Sequence, residues 1–317
     1  MKRFSALKNT IGLLVALAVL YTVFAILIGE NFTSMRTLEN MLKNSTIVGL
    51  VAVGMTYVIV SAGIDLSVGS MVAFVTVVFA VALDRGAGMA MASCWALLAG
   101  VGAGLLNGAL IVGLRVTPFI VTLGTLLVLR GAAKGLADER PVYPDDTGWV
   151  EPLMRTKADD ALSVPPGVWA LIVVAVLASV ALRYTRFGRH TVAVGSNEQA
   201  ARLCGVPVGR VKIAVYGLVG ACAALAGLVQ VSLLTGGDPT IQVGLELQVI
   251  AAVVIGGASL AGGTGSIGGT LLGVLIMETI RTGSSALAWP TWVQQIVTGA
   301  IIVIAVALDQ VRHRRTK

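Results

Sequence analysis

Residues 183–212 read RYTRFGRHTVAVGSNEQAARLCGVPVGRVK. Six basic residues (Arg183, Arg186, Arg189, Arg202, Arg210 and Lys212) share this stretch with one acid, Glu198. It is a polar island between two long apolar segments, 167–182 before it and 213–234 after it. Inside the island, Ser196 is the expected N-cap of a helix, and Glu198 falls in its first turn. Gly205 stands at the C′ position, with Pro207 just beyond. The spacing predicts a helix of about two turns over 196–205, held outside a bilayer by the spans on either side. A basic loop of this kind can serve only to anchor topology. A capped helix within it also offers a surface on which a partner can dock.

Composition sets the class. The chain has 317 residues, of which 56% are hydrophobic and 12% charged, and its mean hydropathy is +0.89. Soluble domains carry about 25% charged residues, so too little polar surface exists to cover a water-soluble globule. The expected fold is all-α: a polytopic helical membrane protein. Cys94, Cys204 and Cys222 lie in or beside apolar segments, are odd in number and show no CxxC spacing. They read as small buried residues, with neither a disulfide frame nor a metal site. His190 and His313 both sit beside arginines and make poor metal ligands.

Working outward, apolar segments of membrane-spanning character fall near 11–28, 44–62, 67–84, 89–113, 118–134, 167–182, 213–234, 244–260, 267–282 and 291–308. The first follows Lys2, Arg3 and Lys8 as a signal peptide would. It is longer than a signal core, however, and no small-x-small cleavage site follows, which favours an uncleaved span. Ten spans put both termini on one side. With the N-terminus inside, the inner segments hold Lys2, Arg3, Lys8, Arg115, the six bases of the island, Arg312, Arg314, Arg315 and Lys317, against Asp65, Glu198 and Asp309. That asymmetry fits the positive-inside rule. The formal net charge of +7 is thus a topology signal, and nucleic acid is not an expected partner.

The outer loop, about 135–167, carries Asp138, Glu139, Asp145, Asp146, Glu151, Asp159 and Asp160 together with five prolines. It is expected to form a polar, turn-rich cap that either receives a partner or is simply solvated. Gly63-Ile64-Asp65-Leu66-Ser67 makes a tight turn in which Asp65 or Ser67 can cap the following helix. An ionised Asp65 in hydrocarbon is costly, so it is expected at the inner surface or in a wet cavity, as a cap or as part of a gate. Gly100, Gly104 and Gly108, and likewise Gly265, Gly269 and Gly273, recur every four residues, as close helix packing in a membrane requires. Asn44, Ser45, Thr46, Asn107, Thr122, Thr125 and Gln248 can line a path for a neutral polar solute, or equally can form interhelical hydrogen bonds. Arg130, Glu246, Glu278 and Arg281 are the charges within spans, toward the outer half, and Glu278 and Arg281 are spaced to pair.

Gly263-Thr264-Gly265-Ser266-Ile267-Gly268 matches G-x-G-x-x-G but lies between two spans, without the strand a dinucleotide site needs. The run Gly256-Gly257-Ala258-Ser259-Leu260-Ala261-Gly262-Gly263 reads as a helix interruption at the inner face. In transporters such breaks commonly mark a pathway, and a plain turn is the alternative. G-x-x-x-x-G-K-[ST], H-E-x-x-H and G-x-S-x-G are all missing, so no nucleotide site or enzyme active site is expected in this chain, and no cofactor.

Four ordered motifs resemble the sugar-importing ABC permeases of the ribose-permease type. They are Ala52-Val53-Gly54-Met55-Thr56 with Gly63-Ile64-Asp65-Leu66-Ser67-Val68-Gly69-Ser70, Pro118–Thr125 with Arg130-Gly131, Ser196–Gly205, and Ala251–Gly263. The resemblance covers about residues 40–310. It implies one transmembrane permease domain over 1–317, in a bacterial inner membrane, paired with a second copy of itself or a paralogous permease. It also implies two cytoplasmic ABC ATPase subunits and a periplasmic sugar-binding protein, so the motor is a separate chain. The helix at 196–205 is similar to the family's coupling helix, with Asn197, Glu198, Ala201, Arg202 and Gly205 as ATPase-coupling residues. Asp65, Ser67, Asn107, Thr122, Gly256, Gly257 and Ser259 are the expected pathway or gate residues. Cys204 stands where the pattern has serine, and Thr264 where it has lysine. Related permeases carry nucleosides or branched-chain amino acids. An ion-coupled secondary carrier for a small polar solute is the alternative from another class.

Overall fold

The computed structural model describes residues 2–155 and 164–314, so Asp159 and Asp160 of the expected outer loop and Arg315 and Lys317 of the expected inner charges lie outside the described residues. The described chain is helical: α1 (Lys2–Ile28), α2 (Glu30–Thr33), α3 (Met35–Val60), α4 (Val68–Asp84), α5 (Met89–Leu114), α6 (Pro118–Leu136), a 3₁₀ turn (Gly148–Leu153), α7 (Pro166–Tyr184), α8 (Arg186–Ser196), α9 (Glu198–Leu203), α10 (Val208–Leu234), α11 (Leu245–Ile255), α12 (Ile267–Ala286) and α13 (Thr291–Arg314). The one extended pairing among the described residues is an isolated bridge, Val142 to Gly237, with two 2.8 Å backbone hydrogen bonds. It staples the polar loop after α6 to the turn after α10.

Among the described residues, six helices are long and apolar enough to cross a membrane: Thr10–Ile28 of α1, then α3, α5, α6, α7 and α10. The remaining expected segments also fall on helices, of which α4 and α11 are short. The apolar run expected over 244–260 stops as helix at Ile255. With 11 residues, α11 is about 16 Å long, roughly half a hydrocarbon core.

The layers follow from side-chain size. The apolar stretches of α3 and α10 are mostly buried within the protein, whereas that of α1 is almost wholly exposed. A helix apolar all round belongs at the centre of a bundle, and α3 and α10 pack together there. The glycine stripe of α5 lies against α10. A Cβ on Gly100 would meet Ala224, one on Gly104 the carbonyl of Tyr216, and one on Gly108 the backbone of Ile213. Backbones this close gain dispersion that lipid would otherwise supply. The second stripe is shorter than expected. Gly269 and Gly273 of α12 press on the backbone of Gly256 and Ala252, while Gly265 precedes the helix and packs on Val60 and Ala258. Thr56 of α3 and Thr270 of α12 share a 2.8 Å hydrogen bond. Glu278 and Arg281 face one another at 4.0 Å.

Of the cysteines, only Cys222 is buried as expected. Cys94 and Cys204 are exposed, one on the outward face of α5 and one at the cap of α9. Apolar neighbours in sequence do not place a residue in the core when its helix face points outward.

Candidate functional site

The polar island folds as two short helices. Thr185 caps α8, accepting from Gly188 N at 3.2 Å, and Asn197 caps α9, accepting from Ala200 N at 2.9 Å. The expected cap was Ser196, but Ser196 is the last residue of α8 and donates its hydroxyl to Val192 O at 2.8 Å. Asn197 takes the extended backbone a cap requires, with φ −162° and ψ 105°. At the other end Gly205 has φ +79°. Its N–H donates to Arg202 O (3.1 Å) and Val206 N–H donates to Ala201 O (3.0 Å). These two bonds form a Schellman closure, and its left-handed residue favours glycine.

Ala201 faces inward and is buried. Glu198 accepts from Lys212 Nζ at 2.6 Å and from Arg202 at 3.1 Å. The Lys212 hydrogen bond, more than any other neighbour, holds the Glu198 carboxyl below the usual carboxylate range. Lys212 lies near the start of α10, so this bond ties the short helix to the central one. Leu203 is 90% exposed, an extreme value for leucine on a helix otherwise capped and charge-paired. Sequence reading missed it, although an apolar residue on the free face of a polar helix was a legible signal. A cleft of about 1130 Å³ opens beside α9, with Arg115, Arg202, Arg210 and Lys212 among its lining residues.

Behind α9 three chain turns meet backbone to backbone. Gly263 N–H donates to Val60 O at 2.9 Å, joining the break after α11 to the end of α3. A Cβ on Gly195 would collide with Val60 O and Gly263 N, one on Gly262 with Gly195 O and Ala62, and one on Gly263 with Ser196. The residues just before α9 are therefore wedged between the turn that leads to Asp65 and the break at 256–266.

Asp65 is fully buried, which corrects the expectation of a position at the inner surface, and its Oδ2 has no hydrogen-bond partner among the described residues. A polar shell drawn partly from distant parts of the chain surrounds its other oxygen. Its Oδ1 accepts from Ser67 N (2.9 Å) and Ser67 Oγ (2.6 Å), and Asn107 Nδ2 donates to Ser67 Oγ at 2.9 Å. Tyr216 OH and Thr122 Oγ1 both donate to Ile64 O, at 3.2 and 3.3 Å. The structure thus brings together Asp65, Ser67, Asn107 and Thr122, and adds Tyr216. Ser67 is the N-cap position of α4 without a capping side-chain bond. Gly256, Gly257 and Ser259 lie apart, in the break. Gly256 lies against Gly269 and Gly257 has φ +92°. Ser259 accepts from Ala261 N at 3.2 Å. Thr46 and Thr125 spend their hydroxyls on carbonyls of their own helix turns.

The family model described as "Branched-chain amino acid transport system / permease component" matches residues 37–306. The chain belongs to this permease family. It is 40% identical over 304 residues to the ribose import permease protein of Escherichia coli strain K12, covering 95% of this chain and 92% of the relative. It is 37% identical over 307 residues to the ribose import permease protein of Bacillus subtilis strain 168 (97% and 94%). It is 36% identical over 311 residues to the L-arabinose ABC transporter permease protein of Azospirillum brasilense (98% and 90%). No solved structure matches the chain. The helix break, the buried turn and the cleft at α9 are therefore features of a transport permease.

Proposed function

We propose that the chain is the transmembrane permease subunit of an ATP-binding-cassette importer that moves a monosaccharide across the bacterial inner membrane. The energy comes from a separate ATPase. The relatives named for ribose and L-arabinose import match nearly the whole chain at 36–40% identity, and they favour a sugar over the amino acids of the family description. In this reading the chain forms one domain of ten spans, with α4, α11, α12 and α13 counted beside the six long helices and both termini inside. It pairs with a second copy or a paralogue. A periplasmic sugar-binding protein delivers substrate to the outer face.

The coupling helix is α9, with Asn197, Glu198, Ala201, Arg202 and Gly205 as its working residues. The observation that supports it best is the wedge of Gly195 and Ser196 between Val60 and Gly263. Close-packed backbones transmit displacement instead of absorbing it. A push on α9 from an ATPase would move the Asp65 turn and the α11–α12 break together. Asp65, Ser67, Asn107 and Thr122 on one side, and Gly256, Gly257 and Ser259 on the other, then act as the two halves of an inner gate.

The test is uptake into vesicles holding the permease with its ATPase and binding protein. D-Ribose or L-arabinose should accumulate only with ATP inside the ATPase-bearing compartment. The chain alone should move neither sugar uphill on a proton or sodium gradient. Accumulation by the lone chain would establish an ion-coupled carrier instead, and preference for leucine over both sugars would move the substrate to the amino acids.

A further inference from the structure

Away from α9 and its gate, a second polar feature sits within the helical bundle. Ser70 of α4, Arg130 and Lys134 of α6, Thr240, and Glu246 of α11 line a cavity of about 290 Å³. Arg130 lies six residues before the end of α6, about 9 Å from it along the axis. Its Nη1 donates to the carbonyls of Pro239 (2.7 Å) and Ile241 (2.6 Å). That fixes the guanidinium, and its remaining nitrogens carry no hydrogen bond among the described residues. The Glu246 carboxylate lies close against α4 at Gly69, where a Cβ would stand 2.6 Å from Glu246 Oε2. Ser70 is 1% exposed, and its Oγ has no hydrogen-bond partner among the described residues.

Charged groups within a span are costly and persist where they face a partner, a cavity or water. Here a fixed donor and a carboxylate line one cavity and are not paired with each other in a salt bridge. The buried hydroxyl between their helices is unspent, although buried polar groups are normally bonded. A half-length helix begins at the same place, as at solute sites in other transporters. A guanidinium edge, a carboxylate and a hydroxyl match vicinal hydroxyl groups, each of which donates and accepts. The cavity is near the lower end of the roughly 300–1,000 Å³ of small-molecule sites.

We propose that Arg130, Glu246 and Ser70 form a transit site for a neutral polyhydroxy solute within the membrane. This deepens the sugar-import reading and rests on it. Glu246 accepts from the solute's hydroxyls, Arg130 donates to them, and Ser70 completes the site with the hydroxyl that has no partner in the chain.

The test uses the complete transporter in vesicles, at saturating binding protein and ATP, with D-ribose and L-arabinose as probes. Losing a hydrogen bond to a charged group should lower the maximal import rate of Glu246→Gln by about tenfold. Gln keeps the size of the side chain and one carbonyl acceptor. Ser70→Ala should lower the rate by about threefold and leave the melting temperature unchanged, because no bond within the chain is lost. Both variants should retain ATP hydrolysis stimulated by the binding protein. Wild-type import rates in both variants would overturn the site. So would a Ser70→Ala variant that loses thermal stability and ATP hydrolysis along with import, since that would mark a structural role. If the unmodified transporter accumulates neither sugar, the sugar-import reading itself fails, which is a separate result.

Discussion

Replacing Leu203 should weaken ATPase binding and leave the permease folded. The side chain is 90% exposed, so nearly all its apolar surface is available to a docking partner. Leu→Ala removes three carbon groups, each worth about 0.8 kcal/mol when buried. With imperfect burial on the ATPase, the loss is about 2 kcal/mol, or roughly 30-fold in Kd. Leu203→Asp adds the cost of bringing a charge into that contact and should bind more weakly still. The fold is insulated from both changes. The short helix is held by the Asn197 cap, the Gly205 closure and buried Ala201, none of which touches the exposed face. Immobilised permease titrated with purified ATPase gives the Kd, and thermal unfolding of each variant gives the control. Wild-type affinity in both variants would refute the assignment of this face to the ATPase.

Gly205→Ala forces a side chain into φ +79°. It should destabilise the α9 turn by about 1–2 kcal/mol and uncouple ATP hydrolysis from import, read as a fall in sugar moved per ATP. Asn197→Ala removes the cap of α9, worth about 1 kcal/mol, and should speed proteolytic cutting within 197–205 without changing membrane insertion. Gly195→Ala places a Cβ into Val60 O and Gly263 N; its melting temperature should fall well below that of a surface control such as Gly102→Ala, whose Cβ meets open space. The Glu198 carboxyl is held low, chiefly by Lys212. Its bonds to Lys212 and Arg202 are therefore intact above the ordinary carboxylate range near pH 4.5 and are lost as pH falls through the lowered value. ATPase association measured against pH should weaken on that acid limb in the wild type, and Glu198→Gln should lack the limb. The exposed Arg202 pair contributes at most about 1 kcal/mol of it.

The helical membrane class was legible because it rests on local chemistry. Hydrocarbon offers no hydrogen bonds, so each segment must satisfy its own backbone, and a run of apolar residues announces that by itself. The turn signals at Gly205 and Pro207, the acid in the first turn of α9, and the glycine repeat of α5 were readable for the same reason. The expected cap, Ser196, lies one residue before the observed one, Asn197. Both side chains can cap, and the decision fell to the backbone angle at Asn197 and the bond from Ser196 back into α8.

Sequence alone thus determined an all-helical membrane chain with a capped polar helix between spans, since hydropathy and capping act over a few residues. Tertiary structure decided where the polar groups went. Asp65 is buried against Ser67, and Ser67 is held by Asn107 from a helix some 40 residues away. Gly195 is hemmed in because Val60 and Gly263 arrive at its Cα, and Ser70 shares a cavity with Arg130 and Glu246 from two other helices. A buried polar group is tolerated or put to use according to its neighbours, and those neighbours are distant in the chain.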